Sequence, residues 1–151
     1  MRFVLNYDII WLLETKQYFN LNVPGFIAYT NVSKSGTHRG GVVLLIKHKI
    51  AELVSNIDRE VEDQIWIELS CLPSVKLGGI YIPPDDSPYY HPCMYGEVAA
   101  RCVDQERVFM MGDFNARVGV PSITNDNGNR YENEDVRDYV VNGHGRTLEY
   151  L

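Results

Sequence analysis

The chain has 151 residues and a formal net charge of −6, with 14 Lys and Arg against 20 Asp and Glu. That length suits one domain, residues 1–151, and a hydrophobic content of 45% excludes a disordered chain. The acidic balance excludes a global electrostatic pull on nucleic acid or anionic membranes, so a nucleic-acid role needs a local basic edge or a bound cation.

In chain order, the run Ile9 to Leu13 predicts a short buried strand whose end delivers the carboxylate of Glu14. For Glu14 taken alone, a solvated strand end competes with a site. Phe26 to Val32 predicts a second strand. The polar, Gly-rich segment from Ser33 to Gly41 then makes a hairpin loop into a β-prone strand, Val42 to Lys47. Lys34, His38 and Arg39 make this the most basic loop, suited either to tracking a phosphate backbone or to simple solvation. Ala51 to Ile57 and Gln64 to Ser70 predict two further strands. In the second, Ile65, Ile67 and Leu69 alternate with Trp66 and Glu68. Val75 to Ile82 continues the meander and stops at Pro83 and Pro84. Tyr81 faces away from Ile80 and Ile82 near that strand's end, where a Tyr is commonly half core and half interface.

Met94, Val98, Ala99 and Cys102 recur at helical spacing and predict a helix from Cys93 to Glu106. The stretch from Val108 to Arg117 is the one the chain is organised around. Its four apolar residues, Val108 to Met111, predict a buried strand that Gly112 lets the backbone leave. In an extended backbone Asp113 and Asn115 share one face while Phe114 anchors the other. An Asx-rich turn competes with a site for these residues. A long Gly-, Asn-, Asp- and Glu-rich stretch follows, to about Asp135, and residues 147–151 look like the first turn of a helix.

Cys71, Cys93 and Cys102 are widely spaced with no C-x-x-C pair, which reads as free thiols in a reducing compartment. The longest apolar runs, Ile9 to Leu13 and Val42 to Ile46, are too short to span a bilayer, and Asn6 and Asp8 break any signal-like run at the start. The expectation is an intracellular domain, nuclear or cytoplasmic, with no membrane association and no inferable obligate protein partner. Asn31-Val32-Ser33 matches a glycosylation sequon, which carries no meaning in such a chain. Strands in a meander, then helix, then strand, predict an α/β (α+β) fold with layered sheets.

Four blocks then resemble the endonuclease/exonuclease/phosphatase superfamily, most of all the endonuclease domains of non-LTR retrotransposons and their apurinic-endonuclease relatives. They are Asp8 to Thr15, Arg39 to Ile46, Gly79 to Pro84 and, most specific, Met111 to Ala116. Asn142 to Leu148 is similar to a further N-x-x-G-x-x-L segment that leads into a helix in the family. The resemblance implies a four-layer sandwich of two β-sheets flanked by helices. It casts Glu14 as a Mg²⁺ ligand, with Mn²⁺ as a possible substitute, Asp113 as the group acting on the attacking water, Asn115 as phosphate holder and Tyr81 as a phosphate contact. Arg39 joins them as a substrate-binding candidate, with DNA as the substrate.

The family's early Asn-bearing strand and its closing Ser-Asp-His block have no counterpart here, and His38, His48, His91 and His144 do not match that block. His144, between two glycines, reads as a solvated loop residue. The expectation is an incomplete sandwich, truncated at both ends, from a retroelement-derived Mg²⁺-dependent phosphodiester hydrolase. The alternatives are a catalytically dead remnant acting as an interaction module, and a phosphatase of a small metabolite using the same residues.

Overall fold

The computed structural model describes residues 6–16, 21–32, 39–70, 74–117, 123–124, 130–131 and 142–148. The expected hairpin loop at residues 33–38, with Lys34 and His38, and Cys71 lie outside the described residues, as do most of residues 118–141.

Two sheets pack face to face. The first contains β1 (Ile9–Leu13), β2 (Phe26–Asn31) and β3 (Val42–Lys47), in the order β1-β3-β2 and antiparallel throughout. The second contains β4 (Val54–Asp58), β5 (Gln64–Leu69), β6 (Val75–Tyr81) and β7 (Val108–Asp113), in that order. Its first three strands are antiparallel, while β6 and β7 run parallel, joined by helix α2 (Cys93–Cys102). A parallel pair needs such a crossover. A one-turn helix α1 (His48–Ala51) lies where the fourth expected strand was to begin, and that strand starts only at Val54. Ile123–Thr124 (β8) and Arg130–Tyr131 (β9) pair antiparallel within the long polar stretch, and α3 (Gly143–Leu148) follows.

The period of two decides which residue faces which layer. Val42, Leu44 and Ile46 of β3 meet Ile65 and Ile67 of β5 between the sheets, with Trp11 and Tyr81. Val43 and Leu45 face the other way, under Leu21 and Val23. A strand buried on both faces needs an unbroken apolar run, which β3 has. On the outer face of the second sheet, Trp66, Ile80 and Ile82 pack against Tyr95 and Val98 of α2. This is the expected two-sheet sandwich of mixed α/β type.

Gly78 and Gly79 explain how two tryptophans fit. A Cβ at Gly79 would collide with the Trp11 ring from the facing sheet, and one at Gly78 with the Trp66 ring on the outer face. Asn31, the sequon residue, is buried at the end of β2 and donates its amide to the carbonyls of Arg59 and Gln64, tying the two sheets together.

Three sequence expectations change. Helix α2 stops at Cys102 rather than Glu106, because Val103 is extended and Asp104 is left-handed at φ 60°. The Val108–Met111 strand is not buried: β7 is an edge strand, with Phe109, Met110 and Met111 all exposed. Its exposure reflects a position that, among the described residues, has no strand on its far side. Gly112 does not end the strand either. It lies inside β7, where a Cβ would strike the backbone carbonyl of Ile80 on β6.

Candidate active site

The strand ends bring the expected residues to one edge of the sandwich. Leu13 pairs with Val42, so Glu14, just past β1, lies beside the Gly40–Gly41 turn that opens β3. Tyr81 and Asp113 are the last residues of two parallel neighbours and are paired in register. Tyr81 points between the sheets and donates its hydroxyl to the Glu14 carboxylate, so the two sheets meet at this hydrogen bond. Burial first, then Glu14 and the charge of Asp113, push the Tyr81 phenol up to about 12. The phenol is therefore neutral and a donor at ordinary pH. Glu14 and Asp113 are both exposed carboxylates flanking it.

Asp113 and Asn115 are related by a turn rather than by strand alternation. Asn115 is left-handed, at φ 47°, and its backbone N–H donates to Asp113 Oδ1 at 2.9 Å. Its side-chain amide donates to the Ile82 carbonyl at 2.8 Å, across the end of β6. The Asx-turn reading is thus what the local hydrogen bonding of these residues shows. Residues 112–117 line a depression of about 380 Å³. Phe114 packs on the outer-face core, as its expected role as an anchor requires.

Arg39 is committed within the protein. Its guanidinium lies 3.4 Å from Glu62, 3.6 Å from Asp63 and 4.4 Å from the centre of the Tyr89 ring. Two carboxylates offset its charge.

A second layer braces the Asp113–Asn115 loop from behind. Asn142 caps α3 by accepting the Gly145 N–H at 2.8 Å, accepts the Arg117 N–H at 2.9 Å, and donates to the Asn115 carbonyl at 2.8 Å. His144 corrects the sequence reading. It is not a solvated loop residue but a helical one, 1% exposed, hydrogen-bonded through Nδ1 to the Tyr95 hydroxyl at 2.8 Å and packed against Tyr90. Tyr95 in turn reaches the Phe114 carbonyl. No pattern in the sequence marks His144, because its partners are 49 and 54 residues away.

Asp63 is the other residue that sequence reasoning passed over. It is a buried carboxylate, 1% exposed, in the turn before β5. Burial pushes its pKa up from the ordinary carboxylate value, against the opposing pull of the Gly41 N–H and Arg39.

Among the described residues there is no cluster of three or more metal-ligating side chains. The donor set is two exposed carboxylates, Glu14 and Asp113, which does not form a closed cage. It fits a hard cation that keeps most of its shell as water and substrate oxygens.

The model of the Endonuclease/Exonuclease/phosphatase family matches residues 1–149. The chain belongs to that family. Family membership makes it akin to hydrolases of phosphate esters that generally work with divalent metals, and the carboxylates at the strand ends suit that chemistry. No curated protein matches the chain closely enough to count as a relative. No helix among the described residues is long and apolar enough to cross a membrane.

Proposed function

We propose that the chain is a Mg²⁺-dependent phosphodiester hydrolase of DNA endonuclease type, derived from a non-LTR retroelement and acting in the nucleus or cytoplasm. The observation that carries this reading is the neutral Tyr81 phenol held on Glu14, with Asp113 beside it at the end of the neighbouring strand. Glu14 holds the cation. Asp113 orients the attacking water and takes up its proton. Asn115 has one amide N–H committed to Ile82, and the other is the donor assigned to a phosphate oxygen. The Tyr81 hydroxyl donates to the phosphate once substrate replaces Glu14 as its acceptor. Bound Mg²⁺ supplies neutralisation of the charge that develops on the phosphate and the leaving oxygen. The preference for DNA rests on the four sequence blocks similar to retroelement endonucleases, and the cation answers the net charge of −6.

The test is nicking of supercoiled plasmid by the wild type, Glu14→Ala and Asp113→Ala, with Mg²⁺ and with EDTA. Mg²⁺-dependent nicking by the wild type that both substitutions abolish is the expected result. A folded wild type that nicks no better than the variants would overturn the reading. It would favour an interaction module, for which the exposed Phe109, Met110 and Met111 of β7 speak.

A further inference from the structure

One chain of hydrogen bonds runs across the site edge from one sheet to the other. The Ile82 N–H donates to the Asp113 carbonyl at 2.9 Å, and the Tyr81 N–H to the Asp63 carbonyl at 2.9 Å. The Gly41 N–H donates to Asp63 Oδ1 at 2.6 Å. The Lys16 N–H then donates to the Gly40 carbonyl at 2.8 Å, and the Thr15 N–H to the Gly41 carbonyl at 3.2 Å. Every link but one is backbone to backbone. The exception is the Asp63 carboxylate, and it is the link that joins the second sheet to the turn gripping the residues after Glu14.

The geometry around that link is specific. Gly40 and Gly41 both have positive φ, 51° and 88°, and a Cβ at Gly40 would run into the Asp63 carboxylate. Asp63 is itself left-handed, at φ 61°, which turns its carbonyl to Tyr81 while its side chain goes to Gly41. Glu14 is left-handed as well, at φ 51°, a conformation a non-glycine residue holds only when its surroundings fix it. Arg39 lies on the other carboxylate oxygen at 3.6 Å, and that oxygen has no hydrogen-bond partner among the described residues. A hydrogen bond to a buried carboxylate is among the stronger kinds, and removing its acceptor strands the donor.

We propose that Asp63 is a positioning residue, whose buried carboxylate locks the Gly40–Gly41 turn and thereby sets Glu14 against Tyr81. The proposal takes from the function above only the naming of Glu14 and Tyr81 as site residues. Its consequence is that the cation site is assembled across two sheets through one side chain that touches neither cation nor substrate.

Amide hydrogen exchange by NMR, on Asp63→Ala and Asp63→Asn, tests it. In Asp63→Ala, exchange at Gly41, Thr15 and Lys16 should quicken about tenfold or more, while Leu44 and Ile67 keep their wild-type rates. Asp63→Asn keeps an oxygen acceptor and should restore most of the protection. Mn²⁺ added to the same samples should broaden the Glu14 and Thr15 resonances. About tenfold more Mn²⁺ should be needed in Asp63→Ala than in Asp63→Asn, a difference that a purely structural role would not produce. Should the alanine variant fail to fold, Asp63→Glu carries the test. Its extra methylene must displace the turn, so the same three amides should quicken and Leu44 should not.

Unchanged exchange at the three amides, or equal quickening at Leu44 and Ile67, would overturn the proposal, as would equal Mn²⁺ demand in the alanine and asparagine variants. A wild type that takes up no Mn²⁺ at Glu14 refutes the function proposed above. The exchange rates then still decide whether Asp63 sets this edge.

Discussion

Tyr81 is the residue whose chemistry depends most on its place. Its phenol is pushed up to about 12 by burial and by donation to Glu14, so it is a hydrogen-bond donor and not a base at neutral pH. By linkage, what the neutral phenol contributes to stability is fully present below about pH 10 and is lost as pH rises through about 12. Tyr81→Phe removes the donor while leaving the ring between the sheets. It should keep the thermal stability near wild type and lower the nicking rate by about 100-fold, measured at saturating Mg²⁺. Gly79 carries the opposite kind of constraint, steric rather than polar. Gly79→Ala pushes a methyl into the Trp11 ring and should cost about 2 kcal/mol, read as a fall in Tm of roughly 5 °C.

Among the elements, α2 and β7 show how packing overrides local pattern. α2 is held by more than its apolar face, because Arg101 in its last turn reaches Asp58 at the end of β4, at 2.8 Å. Burial raises the pKa of Asp58, but the Glu60 N–H and the Arg101 guanidinium outweigh it, and the net shift is downward. The resulting stability is therefore present above the ordinary value of 3.8 and is lost as pH falls through the lowered one. Thermal melts of wild type and Asp58→Asn should differ at neutral pH and converge below about pH 3. β7 has the composition of an interior strand and the location of an edge. Four apolar residues in a row say only that a segment prefers to leave water. Whether it does so depends on what lies beside it, and that is a property of the sheet.

For the whole molecule, the net charge of −6 and the burial of the Arg39 charge against Glu62 and Asp63 leave little electrostatic attraction for a polyanion. DNA binding, measured by fluorescence anisotropy at low salt, should therefore be weak in EDTA and tighten at least about tenfold when Mg²⁺ is supplied. Affinity unchanged by Mg²⁺ would count against a cation that mediates binding. The sequence by itself determined β1, β3 and most of β2, β5 and β6, because strands buried on a face must show unbroken or alternating apolar residues. It also marked Glu14, Tyr81, Asp113 and Asn115, which sit where such strands end. Only the tertiary structure decided that β7 is exposed, that Asn115 is left-handed, that His144 is buried against Tyr95, and that Asp63 joins the sheets. Each of these depends on partners 19 or more residues away or on a local backbone twist, and neither leaves a period in the sequence to be read.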